Sequence, residues 1–205
     1  MDYQFRILDR QEAYRGFFRL DRYRVEFELF RGGMSGEVVR ECSATSGFVV
    51  AGLAFDPVRE CFVLIEQFRI GAMAAGHHPW QLEIVAGFMD IPGESADDCM
   101  QRELEEEIGI RAHALHHVQS YFPSPGGSGG QTHLYFAEVD STQVARHTGL
   151  LAEGEDILVH CVPYQDAFAR LLQGKVENAT MILALQAFYI RYMAGDDRLT
   201  KAQHA

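Results

Sequence analysis

The chain has 205 residues, 47% of them hydrophobic, and a formal net charge of −11, so it can bury a proper core in one full domain, or in one domain with a smaller appendage. A surface this acidic argues against nonspecific nucleic-acid binding, which depends on basic patches that neutralise phosphates. No apolar run approaches the roughly 18 residues of a spanning helix, and the charged start MDYQFRILDRQEAYR lacks the basic tip and apolar stretch of an export signal, so neither a membrane anchor nor secretion is expected.

In chain order, the first clear element is YRVEFELF, where Tyr23, Val25, Phe27 and Leu29 alternate with Arg24, Glu26 and Glu28, the period of a half-buried strand. RGGMSGEV follows, and a hairpin turning near Gly32 and Gly33 is expected. SGFVVAGLAF and CFVLIEQFRI, separated by the turn-prone Asp56-Pro57, are apolar runs that suit strands buried on both faces. A loop containing Gly71, Gly76 and Pro79 comes next, then WQLEIVAG as one strand. HHVQSYF and HLYFAEVD read as strands flanking the glycine-rich SPGGSGGQ, and ILVHCVP as another short strand. Two helices close the chain, YQDAFARLLQG with its stop at Gly174 and ATMILALQAFYIRYM with apolar residues at three- and four-residue spacing. Strands, one central helix, more strands and terminal helices make an α+β or mixed α/β sandwich. Cys42, Cys61, Cys99 and Cys161 have no CxxC spacing, which suits reduced thiols in a cytoplasm, packed as small hydrophobes, better than disulfides or a zinc site. The pairs His77-His78 and His116-His117 have no third soft ligand at sensible spacing and are taken as loop or surface residues.

The central helix is expected over residues 96–108, with Ser95 as N-cap, Asp97 and Asp98 in the first turn and Gly109 as its stop. At about 100° per residue, Cys99, Met100, Leu104 and Ile108 form an apolar arc, and Glu103 and Glu107 fall inside it. Glu105 lies opposite, as a solvated charge should, and Glu106 lies at the arc's edge. Two carboxylates one turn apart, partly buried, repel each other and resist ionisation unless a cation compensates. Oxygen-only ligands of this kind suit a hard divalent ion, Mg²⁺ or Mn²⁺; the alternative is a structural salt-bridge network around Arg102 or another arginine.

The same residues carry a resemblance. RELEEEIGI resembles the second half of the Nudix box, a glycine, five residues, a glutamate, seven residues and then R-E-U-x-E-E-x-G-U with U aliphatic. Glu94 stands seven residues before Arg102, and Leu104, Glu106, Glu107, Gly109 and Ile110 fall in place. From Gly87 to Glu94 there are six intervening residues rather than five, an extra residue that should disturb the loop ahead of the helix more than the helix's carboxylates. YRGFFRLDRYRVEFELF, FDPVRE, VLIEQFRIG, LEIVAGF, SPGG and EGEDILVHCVP are similar to the bacterial ADP-ribose pyrophosphatase branch of that family.

The resemblance implies the α/β/α sandwich of the Nudix fold over residues 47–205. It also implies an N-terminal antiparallel β subdomain over residues 1–46, exchanged between the subunits of a homodimer. It implies Mg²⁺-dependent hydrolysis of a diphosphate linking nucleoside or sugar moieties, with AMP and ribose 5-phosphate as products from ADP-ribose. Glu103 and Glu107 are then the principal metal ligands, joined by Glu106, Glu155 and the carbonyl of Ala86. Glu153, in GLLAEGEDI, is the general base; Arg102 orients glutamates and Glu94 supports them. Arg69 would grip the diphosphate, Phe17 and Arg40 would flank adenine with Glu41 nearby, and Phe88 with the Ser124–Gly126 turn would line the ribose side. Gly130 stands where an acidic residue is expected after SPGG, so recognition of the terminal ribose should differ. Two rivals follow from the same box. One is an enzyme for another nucleotide sugar such as GDP-mannose, distinguished only by its base pocket; the other is a module that senses ADP-ribose without cleaving it, disfavoured because the box carboxylates are retained.

Overall fold

The computed structural model describes residues 2–44, 48–150 and 154–193. The chain divides into two compact units, Met1–Phe48 with Phe122–Gln131, and Val49–Tyr121 with Thr132–Ala205.

The first unit is a three-stranded antiparallel sheet in the order β1-β2-β3, formed by Phe5–Arg15, Arg19–Phe27 and Val38–Ala44. The hairpin is where the glycines place it: Gly32 and Gly33 take positive φ of 86° and 79°, and the Leu29 N–H donates to the Gly33 carbonyl. The strand β1 has no counterpart in the sequence reading. Every one of its residues is exposed, so neither face needs to be apolar and no alternation marks it. Cross-strand ion pairs hold the sheet, Arg6 with Glu26 at 2.8 Å and Arg24 with Glu37 at 2.6 Å. The SPGGSGGQ segment is pinned along β3: Ser43 N–H donates to the Gly127 carbonyl, and Gly129 N–H donates to the Ser43 carbonyl.

The second unit is built on an eight-stranded mixed sheet. Its strands are β4 (Val49–Asp56), β5 (Cys61–Phe68), β6 (Trp80–Glu83), β7 (Val85–Phe88), β8 (Ala114–Tyr121), β9 (Thr132–Glu138), β10 (His147–Thr148) and β11 (Ile157–Pro163). The main path runs β10-β11-β5-β4-β9-β8, with β4 and β9 parallel. Among the described residues four helices complete it: α1 (Ile70–Ala74), α2 (Ala96–Ile108), α3 (Tyr164–Leu172) and α4 (Ala179–Phe188), the last running into a π-helical turn over Tyr189–Met193. The loop expected around Gly71 therefore contains one short helix.

Why β4 and β5 read as unbroken apolar runs is plain from the packing. On one face Leu53, Phe55, Phe62, Leu64, Leu134 and Phe136 pack against α3 and α4. On the other Val50, Ala54, Val63, Ile65 and Tyr135 pack against Cys99, Met100, Leu104 and Ile108 of α2. Both faces are covered, as in the α/β/α sandwich expected, so alternation has no polar side to show. Only two of the cysteines behave as buried hydrophobes: Cys61 and Cys99 are buried, Cys42 is half-buried, and Cys161 is exposed although it shares a face of β11 with the buried Ile157 and Val159. All four are free thiols.

WQLEIVAG is two strands rather than one. The β4–β5 pairing covers Ala54–Asp56 and Cys61–Val63 next to their turn. Farther from the turn, β5 pairs with β6 and β4 pairs with β7. Residues 80–88 thus fill a split between β4 and β5 and change partner at Ile84. That change sets Glu83 at the end of one strand and Ala86 and Gly87 in the next, beneath α2.

Candidate active site

The helix α2 begins and ends on local chemistry. Ser95 accepts the Asp98 N–H with its Oγ at 3.1 Å, and Gly109 closes the helix at φ 80°. Its apolar face docks on the sheet and carries Glu103 and Glu107 inward, leaving them 8% and 3% exposed. Burial is the main force on both. It raises the Glu103 carboxyl to about 7 against relief from Arg102, with Glu106 and Glu155 adding to the rise. It raises Glu107 to about 8, with Glu103 and Glu155 adding to the rise and the Ala86 N–H and the Arg69 charge opposing it. The Ala86 N–H donates to Glu107 Oε2 at 3.0 Å, and Gln67 Nε2 reaches Glu107 Oε1 at 3.5 Å. The backbone of Gly87 runs so close that a methyl group there would overlap the Glu103 carboxylate.

Arg102 bonds three of the glutamates. Its Nε and Nη2 donate to the two oxygens of Glu94 at 3.0 and 3.1 Å, and its Nη1 donates to Glu103 Oε1 at 2.6 Å and to Glu106 Oε2 at 3.2 Å. Nη2 also donates to the Phe88 carbonyl at 3.2 Å. The hydrogen bond to Glu94, the largest influence, pushes the guanidinium far above its ordinary value and holds the Glu94 carboxyl below its own. The extra residue after Gly87 is absorbed in the loop, where Gly93 takes φ 84°; Glu94 still reaches Arg102.

Arg69 sits at the start of α1 and is tied to Glu83, whose Oε2 accepts its Nε–H at 2.8 Å and lies 2.7 Å from its Nη2. Its Nε and Nη2 are thus engaged, and among the described residues Nη1 carries no hydrogen bond. Glu155 precedes β11, with its N–H on the Leu150 carbonyl, and its charge acts on both Glu103 and Glu107. Glu153 lies outside the described residues. The structure therefore groups Ala86, Phe88, Glu94, Arg102, Glu103, Glu106 and Glu107, with Arg69 and Glu155 within electrostatic reach.

Phe17, Arg40, Glu41, Ser124 and Gly126 belong to the other compact unit. There Phe17 is 84% exposed and meets Phe18 edge-on at 5.0 Å. Arg40 Nη1 donates to the Val39 carbonyl, Glu41 pairs with Arg22 at 2.9 Å, and the Ser124 carbonyl accepts the N–H groups of Gly127 and Ser128. Sequence reasoning missed Gln67 and Glu83. The signal was a polar side chain inside an otherwise apolar strand, CFVLIEQF and WQLEIVAG, where burial makes a partner obligatory.

Among the described residues no three His, Cys, Asp or Glu side chains are arranged to hold a metal ion as they stand. The donor chemistry nonetheless fits a hard divalent cation. Two buried carboxylates carry more negative charge than the neighbouring guanidinium balances, both have elevated pKa values, and every donor is oxygen.

Comparison with known proteins agrees with this geometry. The sequence profile of the NUDIX domain matches residues 46–185. An ADP-ribose pyrophosphatase of Escherichia coli (strain K12) is 42% identical over 188 residues, covering 92% of this chain and 89% of that protein. An ADP-ribose pyrophosphatase of Haemophilus influenzae is 40% identical, covering 91% of this chain and 86% of its own length. A GDP-mannose pyrophosphatase of Cronobacter sakazakii is 33% identical, covering 82% and 86%. The crystal structure of an ADP compounds hydrolase superposes with a TM-score of 0.70 at 20% identity, covering 98% of this chain and 96% of that one, and shares the fold. With the profile spanning more than half of the chain and its carboxylate helix in place, the chain belongs to the NUDIX domain family.

Proposed function

We propose that the protein hydrolyses the diphosphate bond of ADP-ribose to AMP and ribose 5-phosphate. The observation that carries this reading is the inward pair Glu103 and Glu107, buried and short of positive charge. Relatives named ADP-ribose pyrophosphatase, 40–42% identical over nine tenths of the chain, support the choice of substrate. Glu103, Glu106, Glu107, Glu155 and the Ala86 carbonyl would hold Mg²⁺, or Mn²⁺ in its place. When bound, such an ion neutralises the diphosphate oxygens and acidifies the attacking water.

The chain's own residues supply the rest. Glu153 accepts the proton from the water that attacks phosphorus, a role supported by its place in GLLAEGEDI and suited to a loop that closes on substrate. Arg102 keeps Glu94, Glu103 and Glu106 in register, and Arg69 offers Nη1 to a phosphate oxygen. Phe17 and Arg40 flank adenine, since an aromatic face and a guanidinium both stack on a purine; Glu41 stands beside them, and Phe88, Ser124 and Gly126 contact ribose. The N-terminal subdomain, residues 1–46, is exchanged in a homodimer in the cytoplasm, and the strongly exposed Phe5, Phe17 and Phe30 support a partner surface there. Light scattering tests this, with a monomer at working concentration as the contrary result. Among the described residues no helix is long and apolar enough to cross a membrane.

The second reading, a pyrophosphatase for GDP-mannose, is favoured by the 33% identical relative of that name. A panel of ADP-ribose, ADP-glucose, GDP-mannose and NADH with Mg²⁺, read as phosphate released after added phosphatase, separates the two. ADP-ribose is expected to be the preferred substrate; its failure beside active GDP-mannose would move the assignment. Failure of every substrate would favour an ADP-ribose sensor.

A further inference from the structure

We propose that Glu83 and Asn178 are positioning residues that set the Arg69 guanidinium for the diphosphate, an inference that rests on the substrate role proposed for Arg69. Glu83 is only 6% exposed, yet it is a carboxylate with both oxygens occupied. Its Oε2 takes Nε and Nη2 of Arg69. Its Oε1 accepts Asn178 Nδ2 at 2.9 Å. Asn178 is itself fixed, because its Oδ1 caps α4 by accepting the Met181 N–H at 2.9 Å. A rigid helix terminus therefore orients an amide, the amide orients a buried carboxylate, and the carboxylate orients a half-exposed arginine.

Such a relay has a physical use. A free arginine loses considerable rotamer entropy when it grips a ligand, and fixing it beforehand removes that loss from binding. The surroundings add a second reason. Arg69's charge reaches Glu107, so an untethered guanidinium would be drawn onto the carboxylates that the reaction needs. Glu83 engages its Nε and Nη2 instead, and among the described residues Nη1 carries no hydrogen bond. Asn178 matters because a carboxylate held at one oxygen alone could rotate away.

The test uses the full-length protein and whichever nucleotide sugar of the panel it hydrolyses best. Asn178→Ser keeps an oxygen to cap α4 and deletes the donor to Glu83. It is expected to raise KM ~5-fold with kcat within about twofold, the pattern of lost uniform binding, and to leave Tm within ~2 °C. Glu83→Gln should raise KM more. In an Arg69→Ala background, already weakened, Asn178→Ser should add nothing, because residues acting through one group are not additive. An unchanged KM in Asn178→Ser beside a raised KM in Arg69→Ala overturns the relay while sparing the role of Arg69. An equal KM penalty from Asn178→Ser with and without Arg69 also overturns it. An Arg69→Ala enzyme with normal KM overturns the substrate role of Arg69 and the relay together.

Discussion

Replacing Glu107 by glutamine is expected to stabilise the metal-free protein above neutral pH while destroying its activity. Burial, with Glu103 and Glu155 adding to it, sets the Glu107 carboxyl at about 8 against 4.5 in the open chain. Between those values the folded chain keeps a proton that the unfolded chain has released. The contribution to stability is therefore full below pH 4.5 and is lost as pH rises through about 8. At ~1.4 kcal/mol per pH unit across that interval, the loss reaches ~4 kcal/mol near pH 7.5. Glutamine has no proton to lose, and its carbonyl can still accept the Ala86 N–H. Its NH₂ would face the Gln67 amide, now 3.5 Å from Glu107, which offsets part of the gain. A net ~2 kcal/mol remains, or ~4–8 °C in Tm for a chain of this size. Thermal unfolding followed by circular dichroism in EDTA should show this difference near pH 8, while near pH 4.5, where only the opposing amide contact remains, the variant should melt lower than the wild type. Mg²⁺ should raise the wild-type Tm near pH 8 by linkage and move the variant far less, while kcat falls at least ~10²-fold. A variant that melts lower near pH 8 in EDTA, or a wild type indifferent to Mg²⁺ there, would show that this carboxylate is not a charge kept in wait for a cation.

Other outcomes follow from the same geometry. Glu153→Gln should lower kcat ~10²–10⁴-fold with Mg²⁺-induced stabilisation retained; near-normal turnover would move the base elsewhere. Gly87→Ala puts a methyl group into the Glu103 carboxylate, so kcat should fall steeply with a modest loss of Tm, and an unimpaired enzyme would mean that Glu103 can be displaced without consequence. Asp56 carries the opposite pH signature to Glu107. Burial alone would raise its carboxyl, but donors from Ser141, Val58 and Arg59 at 2.7–3.0 Å hold it well below the carboxylate range. Its contribution is present above ~pH 4, where the unfolded aspartate is ionised, and is lost as pH falls below that. Asp56→Ala should cost ~3–5 kcal/mol in urea unfolding, and the cost should shrink in acid.

What the sequence made legible was whatever is set by neighbours in the chain. Ser95, Gly109 and the arc of Cys99, Met100, Leu104 and Ile108 specify α2 within one stretch, and the helix runs over the predicted residues. The inward direction of Glu103 and Glu107 came with it, because face is only position times turn angle. The strand β1 was invisible for the complementary reason: a strand exposed on both sides imposes no pattern. The division of WQLEIVAG at Ile84 depends on β4 and β5 diverging, an event decided by pairing partners rather than by those eight residues. Glu83 and Asn178 are 95 positions apart and Asp56 and Ser141 are 85 apart. No local rule joins such pairs; only the demand that a buried carboxylate find donors does.

How a chain with a net charge of −11 can handle an anion follows from the distribution of the few nearby cations. Around α2, Glu94, Glu103, Glu106 and Glu107 face Arg102, which bonds the first three and not the fourth. Arg69 is already matched by Glu83. Four carboxylates less one guanidinium leave three negative charges when all are ionised, concentrated toward the buried end of the helix. Burial first, and this crowding of charge second, favour protonation and push the two innermost carboxyls to about 7 and about 8. A divalent cation cuts the negative excess from three charges to one without a proton and presents its own positive charge to a diphosphate, whatever the sign of the whole molecule. Additional arginines on these glutamates would occupy the place proposed for the cation.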